Sequence, residues 1–92
     1  MNIESNAQTR AAVIAIIIKD SDVVGEVNAI LHEYSDLIIG RMGIPYRERS
    51  INIISVVVDC PISVTNALAG RLGKIEDVTC KAVYSPSMEE EK

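Results

Sequence analysis

Two short segments of the chain are apolar at nearly every position. The first runs from Ala11 to Ile18 and the second from Ile51 to Val58, and isoleucine and valine dominate both. Runs of this length, rich in β-branched residues, are typical of strands that are buried on both faces. We therefore predict two central strands that carry apolar side chains on both sides of a sheet.

Apolar positions recur at helical spacing after each of these runs, which predicts two amphipathic helices. The first helix has Val23, Val27, Ile30, Leu31 and Tyr34 on its apolar stripe, and the second has Val64, Ala67, Leu68 and Leu72. Residues 37–47 and 78–84 are predicted to be the remaining strands. Gly40 and Gly43 indicate a bulge or a close backbone approach in the former, and Pro45 places it at an edge of the sheet.

The resulting order of elements is β-α-β-β-α-β. The predicted fold class is therefore α+β, a ferredoxin-like βαββαβ sandwich, ACT-like, with a four-stranded antiparallel sheet and two helices on one face. We predict a single domain over residues 10–84, a flexible N-terminus at residues 1–9, and an acidic disordered tail at residues 85–92.

Helices on one face leave the other face of the sheet uncovered, and strand alternation puts aliphatic side chains on both. On the first strand, Ala12, Ile14, Ile16 and Ile18 alternate with Ala11, Val13, Ala15 and Ile17. A contiguous exposed apolar patch usually marks an interaction site. We predict a homo-oligomer, a dimer or a tetramer, joined through the open sheet face. The predicted interface residues are Ile14, Ile16, Ile18, Ile54 and Val56, although alternation alone does not say which face the helices cover.

The charge balance argues against nucleic acid as a partner. The formal net charge is −4, and without residues 85–92 eight basic residues face ten acidic ones. Binding to phosphates needs an excess of positive charge. A sheet that binds RNA also needs aromatic residues on its central strands, and the two apolar runs have none. We predict no direct contact with DNA or RNA.

Membrane insertion and export are not predicted either. The N-terminal residues lack the basic-then-apolar order of a signal peptide. The longest apolar run has eight residues, whereas a membrane-spanning helix needs about 20. We expect a cytoplasmic protein that does not contact a membrane.

His32, Cys60 and Cys80 are the side chains best suited to bind a transition metal. A structural zinc site needs four nitrogen or sulfur ligands at characteristic spacing, more than these residues of one copy supply. Cys80 is interpreted as a small core residue, and a site shared between subunits stays open for His32 and Cys60. We predict no metal and no cofactor.

Catalytic motifs are absent from the sequence. A single histidine gives little basis for a catalytic triad, and neither a GxxxxGK[ST] nor a GxGxxG phosphate loop occurs. We predict no enzymatic activity and no catalytic residue. The alternative is a small enzyme or an accessory protein in metallocofactor assembly.

One compact charged cluster remains as a candidate ligand site. Arg41, Tyr46, Arg47 and Glu48 lie close together in the sequence near the turn between the second and third strands, and Arg49 belongs to the same charged cluster. Because guanidinium groups bind carboxylates and phosphates through two hydrogen bonds, we predict that a small anionic effector binds here. The alternative is that these charges prevent unwanted pairing of an edge strand.

Three segments resemble a known family of small proteins, the iron-only hydrogenase system regulators. They are VNAILHEY at residues 27–34, IGRMGIPYRE at residues 39–48, and ALAGRLG at residues 67–73 with the following Val78. The resemblance spans roughly residues 10–84. It implies a regulatory association with the hydrogenase system, and a fold similar to ACT domains and to the effector domain of nickel-responsive repressors, which assemble through their sheets.

The chain departs from those similar folds at their ligand positions. It has no set of His and Cys residues that matches the nickel ligands, and its first strand-to-helix segment, KDSDVV, lacks the glycine that amino-acid-binding ACT domains favour. We therefore expect a non-catalytic, homo-oligomeric regulatory or sensor module that binds a small effector or a protein partner.

Overall fold

The computed structural model describes residues 8–86. Residues 1–7 of the predicted flexible N-terminus and residues 87–92 of the predicted acidic tail lie outside this range. The described residues form four strands and two helices: β1 (Arg10–Ile18), α1 (Val24–Glu33), β2 (Ile38–Tyr46), β3 (Ile51–Cys60), α2 (Ile62–Gly73) and β4 (Val78–Tyr84). The predicted order of elements is confirmed.

The strands form one antiparallel sheet in the order β2-β3-β1-β4. The two doubly apolar runs, β1 and β3, are therefore the central strands, as predicted. Their register pairs Ile14 with Val56 and Ile16 with Ile54. This is the ferredoxin-like arrangement. The two doubly apolar runs suit its central positions, because a central strand is shielded from water by a neighbouring strand on each side.

Both helices pack on the same face of the sheet. Their buried residues Val27, Leu31, Leu68 and Leu72 form one core with alternate residues of β1 and β3. Each buried aliphatic side chain contributes about 1.5–3 kcal/mol relative to exposure to water. This burial offsets the conformational entropy that the chain loses on folding.

The structure corrects the predicted interface residues. Ile14, Ile16, Ile18 and Val56 are 0% exposed and Ile54 is 5% exposed, all of them beneath the helices. A side chain that is already enclosed by its own subunit cannot contact a second copy. The uncovered face of the sheet is formed by the residues that alternate with these buried ones, among them Val13 and Ile17.

Strand β2 has the features that its glycines and proline predict. A β-bulge shifts its register between Ile38 and Gly40, and Pro45 lies in an edge strand, the position in a sheet where proline is tolerated. β3 continues two residues beyond the predicted end, because Asp59 and Cys60 still pair with Ala11 and Arg10 of β1.

Candidate functional site: the open face of the sheet

The open face is the side of the sheet that the helices leave uncovered. In the strand registers, three rows of its side chains run across all four strands, and two shorter rows, Asp59 with Ala11 and Tyr46 with Ile51, lie at the ends. The three rows are Gly40, Val57, Val13 and Val83; then Met42, Ser55, Ala15 and Lys81; then Ile44, Ile53, Ile17 and Thr79. Eight of these twelve residues have apolar side chains, and Lys81 at the edge is the one charged residue among the twelve. Asp59, in the end row beside Ala11, is a further charged residue of this face.

Several of these aliphatic side chains are substantially exposed. Met42 is 60% exposed, Ile44 is 46% exposed and Ile17 is 39% exposed. Single exposed hydrophobic residues are common on protein surfaces, but contiguous groups mark contact sites. Because the exposed side chains lie in adjacent rows on neighbouring strands, they form one patch.

The middle row of the open face has small side chains at its centre, between the long side chains of Met42 and Lys81 at its ends. At the centre of the sheet it consists of Ser55 and Ala15, which are paired across β3 and β1. The flanking rows present Val13 and Val57 on one side and Ile17 and Ile53 on the other. The small side chains thus form a shallow trough between two aliphatic ridges.

The structure separates the residues of the predicted ligand cluster. Arg41 and Tyr46 lie on opposite sides of β2, since Arg41 pairs with the buried Val56 and Tyr46 pairs with Ile51 of the open side. Arg41 donates a hydrogen bond from Nη2 to Oδ1 of Asn28 on α1, at 2.6 Å. A single pocket that uses all four predicted residues is therefore not formed.

Two depressions lie at the end of the sheet where β2 turns into β3. The first, here called the hairpin cleft, has a volume of about 670 Å³, and its charged lining residues are Lys19, Asp20, Arg47 and Asp77. The second, here called the rim pocket, has a volume of about 690 Å³ and is lined by Ile17, Lys19, Tyr46, Glu48, Arg49 and Ile51. Arg47 thus belongs to one depression, and Tyr46 and Glu48 belong to the other.

Sequence reasoning placed Arg49 in the charged cluster but did not identify Lys19 as a site residue. Lys19 follows the last residue of β1, and Arg49 lies in the short turn at Arg47–Arg49. The two are 30 positions apart in the chain, and the pairing of β1 with β3 brings their segments together. The signal in the sequence that could have identified Lys19 was its position, a basic residue immediately after an apolar strand.

A second charged feature joins the outer surfaces of the two helices. Arg71 Nη1 lies 2.7 Å from Glu33 Oε1, and its guanidinium lies 5.8 Å from the centre of the Tyr34 ring. The hydrogen bonds from Arg71 hold the pKa of Glu33 below its ordinary value and raise that of Arg71 itself. Both side chains are exposed, so this pair stabilises the helix packing only weakly.

The candidate metal ligands are not brought together. His32 is exposed on α1, whereas Cys60 is buried, with its Sγ atom 3.1 Å from Oγ1 of Thr65. Cys80 is half-buried on β4, and burial raises the pKa of its thiol. Within residues 8–86, no group of three or more His, Cys, Asp or Glu side chains is placed to hold a metal ion. Neither helix in that range is long and apolar enough to cross a membrane.

The fold and the surface together define a class: a small ferredoxin-like α+β domain with an apolar, uncovered sheet face. The chain belongs to the family described as "TM1266-like: Iron-only hydrogenase system regulator, putative", whose model matches residues 10–82. This match confirms the resemblance that the three sequence segments indicated.

A solved structure supports the same assignment. The structure of protein TM1266 from Thermotoga maritima has a TM-score of 0.82 and 32% sequence identity to this chain, and the similarity covers 86% of this chain and 100% of that one. Among curated proteins no match is found. The family assignment therefore rests on the family model and on the solved structure.

Proposed function

We propose that the chain is a non-catalytic regulatory module of the iron-only hydrogenase system that works as a homo-oligomer, a dimer or a tetramer, joined through its open face. In this proposal it responds to a small anionic effector or to a protein partner. The observation that carries the proposal is the contiguous apolar patch on the open face. The family description supplies the regulatory context.

A second copy of the chain suits this surface better than an unlike partner. In an interface with two-fold symmetry the same patch of both subunits is in contact, and a residue close to the symmetry axis lies near its own copy in the partner. Charged groups close to the symmetry axis would repel their copies. On the two central strands, the three rows contain only aliphatic side chains and Ser55, so a symmetric contact brings no like charges together there.

Burial of the patch supplies the driving force for assembly. Removing an exposed aliphatic side chain from water is favourable by roughly 25 cal/mol per Å² of apolar area. A standard specific interface removes about 800 Å² from each partner. The face of a four-stranded sheet whose side chains are mostly apolar offers the kind of surface from which such an interface is built.

Sedimentation equilibrium of the full chain, measured across micromolar concentrations, tests the proposal. Ile44→Lys puts a charge in the exposed patch on an edge strand, where it should leave the monomer folded and shift the equilibrium toward monomer. The matched control is Ala67→Lys, because Ala67, which the helical spacing assigned to the apolar stripe of α2, is exposed in the structure and lies outside the core. The control should sediment as the unmodified chain does.

A strictly monomeric chain at all these concentrations would overturn the assembly, and so would an Ile44→Lys variant that assembles as well as the control. Circular dichroism of both variants establishes that each is folded. If Ile44→Lys proves unfolded, Met42→Lys replaces it, because Met42 is the more exposed side chain of the two.

A further inference from the structure

We propose that the rim pocket is half of a binding site for an amphipathic organic anion, an aromatic body with one carboxylate, sulfonate or phosphate group, and that a second copy of the chain completes it. The inference rests on the proposed function, because the second half of the site comes from assembly through the open face. It names the class of effector and links the binding of that effector to the oligomeric state.

The lining of the rim pocket combines an apolar wall with positive charge. Ile17, Ile51 and Tyr46 form the wall, and Lys19 and Arg49 supply two cations against the single carboxylate of Glu48. A tyrosine ring can stack against an aromatic body, and a guanidinium binds a carboxylate or phosphate through two hydrogen bonds. The lining thus complements both parts of the proposed ligand.

The charges of the pocket are available to a ligand. Among residues 8–86, Arg71 and Glu33 form an ion pair, and Lys19, Arg49 and Glu48 take part in none. The hairpin cleft beside it is a weaker candidate, because Lys19 and Arg47 there face Asp20 and Asp77. Two cations and two carboxylates leave that cleft with no net charge to attract an anion.

The position of the rim pocket explains why a second copy would complete it. Ile17 is part of both the pocket wall and the ridge of the open face, where it pairs with Ile53, which in turn pairs with Ile44. A partner that covers this ridge also covers the adjoining wall of the pocket. Removal of water from that side lowers the local dielectric constant and strengthens the attraction between the cations and a bound anion.

Binding and assembly are then thermodynamically linked. A ligand that binds the dimer better than the monomer must strengthen the dimer by the same factor. At a ligand concentration ten times its dissociation constant, each of two symmetric sites contributes a factor of about eleven, so the dimer dissociation constant falls by up to about 100-fold.

The probe for the test is 8-anilinonaphthalene-1-sulfonate, and its neutral analogue N-phenyl-1-naphthylamine controls for simple hydrophobic binding. Fluorescence titration gives the affinity of each probe, and sedimentation equilibrium gives the dimer dissociation constant with and without the probe. Lys19→Gln combined with Arg49→Gln should weaken sulfonate binding by at least about tenfold. The same double variant should leave binding of the neutral analogue unchanged.

Two further variants test whether the affinity for the sulfonate probe follows the charge of the pocket itself. Glu48→Gln removes the carboxylate of the pocket and should strengthen binding of the sulfonate. Arg71→Gln combined with Lys74→Gln removes two positive charges at the C-terminal end of α2, outside both the pocket and the open face, and should have little effect on probe binding. Equal affinity of the sulfonate for the unmodified chain and for the Lys19 and Arg49 double variant would overturn the anion site.

The dimer measurement separates the two proposals. A sulfonate probe that raises the dimer dissociation constant competes with the partner and overturns completion of the site by a second copy. If the chain stays monomeric at every concentration, the proposed assembly fails together with completion by a second copy. The dependence of sulfonate binding on Lys19 and Arg49 then still decides whether the pocket binds anions.

Discussion

Ile16 and Ile17 are neighbours in the sequence and lie on opposite sides of the sheet, which gives a direct test of what each face does. Ile16 is 0% exposed beneath the helices. Replacement by alanine deletes buried methyl and methylene groups and leaves a cavity, which costs about 2–5 kcal/mol of the free energy of unfolding. We expect this loss at every protein concentration.

Ile17→Ala should act mainly on assembly. The side chain is 39% exposed in the monomer, so this fraction of a full burial worth about 1.5–3 kcal/mol is still to be gained, or about 0.6–1.2 kcal/mol per subunit. A symmetric dimer contains the residue twice, which gives about 1.2–2.4 kcal/mol. At 1.4 kcal/mol per factor of ten, the dimer dissociation constant should rise by about 7- to 50-fold.

Two measurements on each variant separate these effects. Urea denaturation at low protein concentration, where the monomer dominates, reports the stability of the subunit, and sedimentation equilibrium reports its assembly. Ile16→Ala should show the larger loss of subunit stability, and Ile17→Ala the larger loss of assembly. An unchanged dimer dissociation constant for Ile17→Ala, with Ile44→Lys also without effect, would refute the role given to the open face.

Three smaller predictions concern particular contacts. The pKa of Glu33 should rise in Arg71→Gln, as read from the carboxyl carbon shift in an NMR titration. Because the pKa of Glu33 is lowered in the folded state, the stability from this pair is present at neutral pH and is lost as the pH falls through the lowered value. A Glu33 pKa that is the same in Arg71→Gln as in the unmodified chain would contradict the hydrogen bonds described. Cys80 should react with a thiol reagent at pH 8 more slowly than a free cysteine does, since burial raises its pKa, and urea should abolish the difference, with the labelled cysteine identified by mass spectrometry. Cys60→Ala should cost about 1–3 kcal/mol, because it leaves the buried Thr65 hydroxyl without its sulfur partner; the added change Thr65→Val should recover part of that loss in urea denaturation, and no recovery would argue against the contact.

The order and centre of the sheet could be predicted from the sequence because they depend on local pattern. Doubly apolar runs can be placed only in the middle of the sheet, and Pro45 can be tolerated only at its edge. Both constraints can be recognised within a single strand of the sequence, without knowledge of its partners in the fold. The strand order β2-β3-β1-β4 then follows from the topology.

The choice of face could not be made from alternation, because both faces of β1 are apolar. The larger set, which contains Ile14 and Ile16, packs under the helices, and the smaller set, which contains Val13 and Ala15, lies on the open face. Side-chain volume was the signal that distinguishes the two faces, because a close-packed core leaves few voids and therefore takes the larger side chains.

The residues of the predicted ligand cluster do not share one face of the sheet, for a related reason. Closeness along a strand does not place side chains on the same face, and Arg41 and Tyr46 are an odd number of positions apart. The pocket that does form combines Lys19 with Arg49 through the pairing of β1 with β3. Such long-range contacts depend on the assembled fold.

The two-sided apolar character of β1 also affects how securely the chain folds. A slip of one residue in this strand would place Ala11, Val13, Ala15 and Ile17 under the helices in place of Ala12, Ile14, Ile16 and Ile18. The slipped set is smaller by only four carbon atoms, a difference of about 3 kcal/mol at 0.8 kcal/mol for each. In an ordinary half-buried strand the same slip would bury polar or charged groups at much greater cost.

The native register of β1 is thus selected by side-chain size and not by polarity. Ile16→Ala would reduce the difference between the two sets to one carbon atom, or about 0.8 kcal/mol, and should allow two registers to be populated together, visible as doubled NMR resonances for β1. A strand that is apolar on both faces has little protection against mispairing within its own subunit.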